Sequence, residues 1–208
     1  MDESRSQPLS GAVQEFVVPL FPLADHVLFP GTLQRFHIFE PRYRQMIDDV
    51  LDSSGYFAIG AVLKSDRARL AGNPPIAAIG GLAHLEQYTR LEDGRYLLLA
   101  RGESRVQMSE VASDRLYRRV SVARLDERIQ DVDGGAGEAE YRTRLLRCLR
   151  AHASEGAELL EMLTVAQLAD FLLISLRLPA AELYPIYALP VRERVERVIA
   201  LDTAKKPS

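Results

Sequence analysis

Apolar residues recur along this chain in two different periods, and the change between them falls near residue 130. Before that point, short apolar runs are interrupted by Pro and Gly, which is typical of β-strands joined by tight turns. After it, apolar residues return every three or four positions, as they do on one face of a helix. The pattern predicts an α+β protein in which a β-rich part precedes a helical part.

One helix is predicted inside the β-rich part. Pro41 suits the first helical position, and Glu40 stands where a carboxylate can meet the unpaired N–H groups and the positive end of a helix. The apolar residues of one helical face follow at the expected spacing: Tyr43, Met46, Ile47, Val50 and Leu51. This spacing predicts a helix from Pro41 to about Asp52.

Two dipeptides predict reversals of the chain. Pro30-Gly31 suits the central positions of a type II turn, because proline presets φ and glycine accepts the positive φ that follows. Asp93-Gly94 lies between two strand-like segments and predicts a hairpin. The predicted strands lie within 16–39, 56–63, 76–91, 95–108 and 116–125. Many strands with one inserted helix predict a closed or nearly closed antiparallel β-barrel, which removes exposed strand edges.

The C-terminal part predicts several packed helices. Thr164 and Gln167 have the spacing of a capping box, and the helix that they open should turn Leu168, Phe171 and Leu172 inward. Further apolar faces are predicted around two groups: Tyr141, Leu145, Cys148, Leu149 and His152, and Val191, Val195, Val198 and Ile199. These faces need partners, so we expect the helices to pack on each other and on the barrel.

Pro179 and Pro190 are each expected in the first turn of a further helix.

The chain divides into five predicted regions. They are a flexible tail at 1–15, a β-barrel at 16–130, a Gly-rich linker at 131–138, a helical subdomain at 139–203 and a tail at 204–208. The division depends on the change of periodicity and on the composition of the linker.

Composition and charge exclude several classes of protein. The chain of 208 residues is 47% apolar and has a net charge of −3, so no general basic footprint for nucleic acid is present. Cys148 is the only cysteine, which rules out a disulfide within one chain and a cysteine-rich zinc site. No apolar stretch approaches the ~20 residues that span a membrane, and the first residues lack the pattern of a secretory signal. We therefore expect a cytoplasmic location.

Three short blocks carry a family resemblance. They read Pro19-Leu20-Phe21-Pro22-Leu23, then Val27-Leu28-Phe29-Pro30-Gly31, then Ile38-Phe39-Glu40-Pro41-Arg42-Tyr43. In this order they closely resemble the opening of the N-terminal, substrate-recognition domain of the Lon proteases. The resemblance covers roughly 16–127 and is weaker in the helical part.

The resemblance implies a PUA-like antiparallel β-barrel with one inserted helix, followed by a C-terminal helical bundle. It also implies binding rather than chemistry. Full Lon proteases carry ATPase and protease modules after this domain, and this chain resembles a stand-alone member without them. The segment 184–190 departs from the family, whose members are more polar there.

Residues that could support catalysis are sparse. Glycine is nowhere followed by lysine, so the phosphate-binding loop of an ATPase is missing. The lysines are Lys64, Lys205 and Lys206, and none lies where desolvation would lower its pKa for catalysis. The histidines His26, His37, His84 and His152 lack the spacing of a helical zinc site. We predict no catalytic, cofactor-binding or metal-binding residues, and no cofactor.

Two sets of residues are candidates for partner binding. Arg115, Arg118 and Arg119, with Arg101 and Arg105 close in sequence, could form a basic patch for RNA phosphates or acidic peptides. Solvated strand faces explain these arginines equally well.

The second set is Tyr184, Ile186 and Tyr187, in a proline-broken segment rich in aromatic and apolar residues. Such a segment can bind a partner, but a seam between the helices and the barrel explains it better. The binding surface is thus expected on the barrel strands, in the exposed loop 64–75, or at the junction with the helices.

The leading functional hypothesis is a non-catalytic module that binds unfolded or partly exposed polypeptide, or a specific protein partner, as an adaptor or regulator of protein turnover. RNA binding is the alternative, because PUA-like barrels resemble domains that grip structured RNA, although the overall acidity argues against nucleic acid. An independent peptidase is a third and weaker hypothesis. No membrane partner is expected, and the sequence leaves the oligomeric state open.

Overall fold

The computed structural model describes residues 15–24, 26–62, 74–129, 137–152 and 157–205. Most of three predicted segments lies outside these residues: the tail at 1–15, the linker at 131–138 and the loop at 64–75.

The elements follow the predicted order of a β-rich part and then helices. The strands are β1 (Phe16–Ala24), β2 (Leu33–Ile38), β3 (Tyr56–Val62), β4 (Ile79–Arg90), β5 (Tyr96–Val111) and β6 (Arg119–Arg124). The helices are α1 (Pro41–Leu51), α2 (Glu138–His152), α3 (Ala157–Glu161), α4 (Val165–Ser175), α5 (Ala180–Tyr187) and α6 (Val191–Lys205). The α+β class is confirmed.

The strands form one sheet in the order β2-β5-β4-β3-β1-β6, and β5 also pairs with β6. Five strands therefore close into a ring, while β2 is added to the first half of β5. Every pair is antiparallel except β1 with β3, which run parallel with Leu20 opposite Ala58. The predicted barrel is confirmed, but the expectation of a purely antiparallel sheet is wrong for this pair.

Helix α1 packs its apolar face against residues of the barrel. Tyr43, Met46, Ile47 and Val50 are buried on the predicted face, and Pro41 opens the helix as expected. Glu40 precedes the first turn, but its side chain makes no capping hydrogen bond. Its Oε2 instead accepts a hydrogen bond from the Nε of Arg42 at 2.9 Å. The predicted capping role of Glu40 is thus wrong, because this carboxylate is used by the neighbouring arginine.

The type II turn at Pro30-Gly31 is confirmed. Gly31 has a φ of 78°, and the N–H of Thr32 donates to the carbonyl of Phe29 at 3.2 Å. A second contact fixes the turn to the barrel, because the Gly31 N–H donates to the Gly102 carbonyl on β5 at 2.8 Å. The loop after β1 is therefore held against β5 by main-chain hydrogen bonds.

The hairpin at Gly94 is also confirmed. The φ of Gly94 is 78°, and its N–H donates to the carbonyl of Leu91 at 2.9 Å. The hairpin joins β4 to β5, the longest strand of the sheet.

The capping box that opens α4 is formed by Thr164 and Gln167, as predicted. Leu168 and Leu172 are fully buried, but Phe171 is 38% exposed, so the prediction that it turns inward is wrong. Phe171 shares an exposed face with Ile174, three residues later, which is 39% exposed. Helix α4 therefore presents apolar surface on two sides.

The helices and the barrel share a hydrophobic core. Helices α2, α4 and α6 bury their apolar faces against each other, and this cluster reaches Phe29 of the barrel. The rings of Phe29 and Tyr187 meet edge to face, with centroids 5.2 Å apart. None of the helices in the described ranges combines the length and the apolar character needed to cross a membrane.

Candidate functional site

An open groove with a volume of about 520 Å³ lies where the barrel meets the helices, and we call it the junction groove. It is bounded by the loop after β1, by β2 and β3, and by α4 and α5 with their connection. The residues that line it are His26, Val27, Phe29, Thr32, Gln34, Ala61, Val62, Ile174, Leu178, Ala180, Ala181, Leu183, Tyr184 and Pro185. The junction of barrel and helices is one of the three locations that the sequence analysis proposed for the binding surface.

The residues that line the junction groove in the described part of the chain carry no permanent charge. Its one titratable residue that ionises near neutrality is His26, and burial lowers the pKa of this imidazole. The His26 Nε2 atom is buried and has no hydrogen-bond partner in the described part of the chain. The groove therefore presents a neutral, largely apolar surface at physiological pH.

Several polar groups of the lining already have partners within the protein. The Thr32 hydroxyl donates to the Phe29 carbonyl at 2.7 Å, and the Tyr184 hydroxyl donates to the Ile79 carbonyl at 3.1 Å. These bonds leave mainly the carbon surfaces of the two side chains for contact with a ligand. Shape and apolar contact should therefore dominate binding in this groove.

Helix α5 forms one wall of the groove, and hydrogen bonds attach it to the barrel. The fully buried Tyr187 donates its hydroxyl hydrogen to the Leu28 carbonyl at 2.9 Å. Arg105 on β5 donates to the carbonyl oxygens of Tyr187 and of Leu189, the latter at 3.0 Å. The position of the wall is thus set by hydrogen bonds to two barrel segments.

A buried network of charges continues from this attachment. Arg105 Nε and Arg194 Nη2 each lie 2.6 Å from a different carboxylate oxygen of Glu127, and Arg194 Nε lies 3.0 Å from Asp170 Oδ1. Burial raises the pKa of Glu127, and the charge of Arg105 opposes this rise. Burial likewise raises the pKa of Asp170. The network joins β5, α4, α6 and the segment after β6.

A second groove of about 530 Å³ lies between β1 and β2, and we call it the edge groove. The residues that line it are Phe21, Pro22, Leu23, Ala24, Arg35, Phe36, His37, Ile38, Phe39, Glu40, Arg42, Tyr43 and Pro74. The edge groove carries charged side chains, unlike the junction groove. Strand β2 contributes to both grooves, because Gln34 near its start lines the junction groove and the residues from Arg35 onward line the edge groove.

The arginines that the sequence proposed as a basic patch are largely paired with carboxylates. Arg118 Nε donates to Glu110 Oε1 at 2.7 Å, and Arg115 lies 3.6 Å from Asp49. Arg119 is a half-buried residue of β6. The ion pairs that these arginines form are Arg105–Glu127, Arg101–Glu86, Arg101–Glu103, Arg115–Asp49, Arg115–Asp114 and Arg118–Glu110.

The aromatic segment of α5 is divided between two surfaces. Tyr184 and the adjacent Pro185 line the junction groove, whereas Ile186 and Tyr187 are 6% and 0% exposed and lie in the core. Only Tyr184 of the three proposed binding residues in this segment is accessible to a ligand, because the helix turns the other two towards the barrel and α6.

Most residues of the junction groove had no signal in the sequence. Thr32, Gln34 and Leu178 are uncharged and far apart in the chain, so only the tertiary fold brings them together. One available signal was Ile174, a large apolar residue of the lining that lies outside the predicted inward face of α4.

Comparison with known proteins gives a family match over most of the chain. Residues 17–201 match the ATP-dependent protease La (LON) substrate-binding domain. A Lon protease of Desulfosudis oleivorans is 26% identical over 110 residues, which are 53% of this chain and 14% of that protein. The chain thus spans a small fraction of the length of this curated relative.

Solved structures share the fold. The N-terminal domain of a Mycobacterium avium complex Lon protease has a TM-score of 0.68 at 24% identity, covering 92% of this chain and 100% of that one. A Lon N-terminal domain protein from Xanthomonas campestris has a TM-score of 0.62 at 24% identity, covering 89% and 98%. These structures show the fold, and the match over residues 17–201 shows the family: the chain belongs to the Lon substrate-binding domains.

Proposed function

We propose that this chain binds unfolded or partly exposed polypeptide in the junction groove and catalyses no reaction on it. The observation that carries the proposal is a neutral, apolar groove at the junction of barrel and helices in a substrate-binding domain. Apolar side chains that are buried in a native protein become available when it unfolds. An uncharged groove discriminates in favour of such segments, because a charged side chain would lose its hydration there.

The size of the groove suits this ligand. A volume of about 520 Å³ falls within the range of pockets that hold small ligands, and it has room for a few apolar side chains. Each side chain that is fully buried contributes roughly 1.5 to 3 kcal/mol. Part of this gain offsets the ordering of a flexible polypeptide, so moderate affinity is expected.

The lining also supports a role without chemistry. Its hydroxyl groups belong to Thr32 and Tyr184, and both donate to backbone carbonyls. Its one imidazole, His26, has no hydrogen bond to either hydroxyl. Among the described residues of this groove, no hydroxyl is thus placed beside an activating base.

Capture without cleavage fits an adaptor or regulator of protein turnover, which would hold a damaged protein for a separate protease. RNA binding has weaker support, because carboxylates neutralise Arg101, Arg105, Arg115 and Arg118. An arginine that is already paired with a carboxylate displaces few counterions from RNA, so it adds little to RNA affinity.

A charge placed in the junction groove tests the proposal. Ala181 is an exposed groove residue in the first turn of α5, where an aspartate is compatible with the helix dipole. Ala181→Asp should therefore fold normally and weaken the binding of an apolar segment. Ala200→Asp is the matched control, because Ala200 is exposed on α6 and does not line the groove.

The measurement is retention of reduced and carboxymethylated lactalbumin, which cannot refold, by the immobilised chain. We expect wild type and Ala200→Asp to retain it equally and Ala181→Asp to bind at least roughly tenfold more weakly. No release of peptide fragments and no ATP hydrolysis should accompany binding. Equal retention by both variants, or none by the wild type, would refute the proposal.

A further inference from the structure

The outer edge of β2 is unpaired in the described part of the sheet. Strand β2 pairs with β5 on one side and with no other described strand. β1 precedes it in the chain and runs antiparallel to it, yet the two strands are separated by the edge groove instead of being hydrogen bonded. An open strand edge is a template for main-chain pairing.

The pairing with β5 shows which backbone groups point outward. Gly102 N–H donates to the Thr32 carbonyl at 2.9 Å, so residue 32 faces β5. Backbone groups alternate along a strand, which directs the N–H and C=O groups of Leu33, Arg35 and His37 away from β5. No hydrogen bond to these backbone groups occurs among residues that the structure describes.

The opposite wall of the edge groove is a poorer template. Leu20 N–H points away from β3 and donates to the Arg118 carbonyl at 2.8 Å. Alternation directs the nitrogen of Pro22 to the same side, facing the edge groove, and proline has no hydrogen to donate. A polypeptide entering this groove therefore finds its main-chain donors on β2.

We propose that the captured polypeptide adds to the outer edge of β2 as an extended strand. This inference rests on the proposed function and specifies how the ligand is held. Because Gln34 lines the junction groove and Arg35 lines the edge groove, one extended segment can place apolar side chains in the first while its backbone pairs along β2. Main-chain recognition suits a protein that must accept many sequences.

The charges at this edge define the preferred segment further. Arg35 is an exposed, positively charged residue of β2 and lies beside the edge groove. Glu40 in the same groove is paired with Arg42 at 2.8 Å. Opposite charges on neighbouring strands attract, so acidic residues next to the apolar ones should strengthen binding. The preferred ligand is thus an extended segment with apolar side chains followed by an acidic flank.

A proline at position 35 tests the main-chain contact. Arg35→Pro removes the outward N–H, while the hydrogen bonds of Gln34 and Phe36 to β5 stay possible. Arg35→Ala removes the same charge and keeps the N–H. We expect a labelled peptide of alternating Leu and Thr with an aspartate flank to bind Arg35→Pro roughly tenfold more weakly than Arg35→Ala. Equal affinities of two folded variants would overturn strand addition.

A modified peptide tests the same contact on the wild-type chain, which avoids any question of folding. The same peptide with N-methyl groups along its backbone keeps every side chain but cannot donate main-chain hydrogen bonds. Its affinity should fall at least roughly tenfold. If the N-methylated peptide bound as tightly as the unmodified one, strand addition would be overturned while polypeptide binding stood. If neither lactalbumin nor either peptide bound, the proposed function would be overturned as well.

A second copy of this chain is the competing occupant of the edge. Sedimentation of wild type and Arg35→Pro at increasing protein concentration distinguishes it. We expect the same sedimentation for both at the concentrations used for peptide binding. Self-association that Arg35→Pro abolishes would assign the edge to a second copy and overturn the proposal.

Discussion

The guanidinium of Arg105, on β5, donates a hydrogen bond to the backbone carbonyl of Tyr187, although 82 residues separate them. The guanidinium also lies over the Tyr187 ring, with its central carbon 5.6 Å from the ring centroid. An arginine that is 1% exposed thus fastens the helical part to the barrel at the base of the junction groove. Arg105 should therefore contribute both to the stability of the fold and to binding in the groove.

Loss of Arg105 should cost far more than loss of an exposed arginine. Arg105→Ala leaves Glu127 with only Arg194 and leaves the Tyr187 carbonyl without its donor, so we expect a loss of about 3 to 5 kcal/mol in the free energy of unfolding. Arg101→Ala is the matched control, since Arg101 is 47% exposed and its loss should lower the free energy of unfolding far less. Urea denaturation measures both, and equal small losses would contradict the role of Arg105.

The turn at Gly31 should be sensitive to backbone strain. A Cβ at this position would lie 3.7 Å from Gln167 Nε2, so space is available, but φ is +78°. Gly31→Val should therefore destabilise the protein by about 1 to 3 kcal/mol through strain alone. Gly31→Asn should cost clearly less, because asparagine tolerates this region. Thermal melting distinguishes the two, and equal midpoints would refute this account.

Gly31 also illustrates what can be predicted from sequence. Pro30-Gly31 specified its turn because proline fixes φ at about −65° and glycine accepts the positive φ that follows, whatever surrounds them. The same holds for the buried face of α1, where Met46 and Val50 follow from helical spacing alone. Such features need only a few neighbouring residues.

Features that depend on competition between side chains or on distant contacts were not predictable in this way. Glu40 stood at a capping position, but Arg42 takes its carboxylate instead. Phe171 followed the periodicity of a buried face, yet the packing of α4 leaves it half exposed. The junction groove joins residues 26 to 185, so its lining appears only when the helices meet the barrel.

Close packing of backbones at Gly102 should exclude any side chain. A Cβ built there would lie 2.1 Å from the Phe29 carbonyl oxygen, so Gly102→Ala must displace the loop after β1. We expect a loss of about 1 to 3 kcal/mol in the free energy of unfolding. Because Phe29 and Thr32 line the junction groove, polypeptide binding should weaken as well.

A neighbouring serine supplies the control for Gly102. Ser104→Ala changes a residue of β5 that already has a Cβ, so no atom is forced into the loop. Its stability and its retention of carboxymethylated lactalbumin should match those of the wild type. A Gly102→Ala protein that melts and binds like Ser104→Ala would show that the loop yields without cost.

Alkaline pH should destabilise the fold partly through Tyr117. Burial raises the pKa of this phenol from 10.0 to about 12, and the hydrogen bond that it donates to Asp49 at 2.5 Å adds to the rise. The folded state therefore holds this proton more tightly than the unfolded state. The contribution is fully present below about pH 10 and is lost as pH rises through about 12.

Tyr117→Phe should therefore reduce the dependence of stability on pH in this window. Urea denaturation should show that the free energy of unfolding falls less steeply between about pH 10 and about pH 12 than it does in the wild type. Some pH dependence should remain, because burial also raises the pKa of Tyr43 and Tyr96. Tyr88→Phe, at a tyrosine that is 53% exposed, is the control and should keep the wild-type slope. If Tyr117→Phe kept it too, Tyr117 would not contribute to alkaline unfolding.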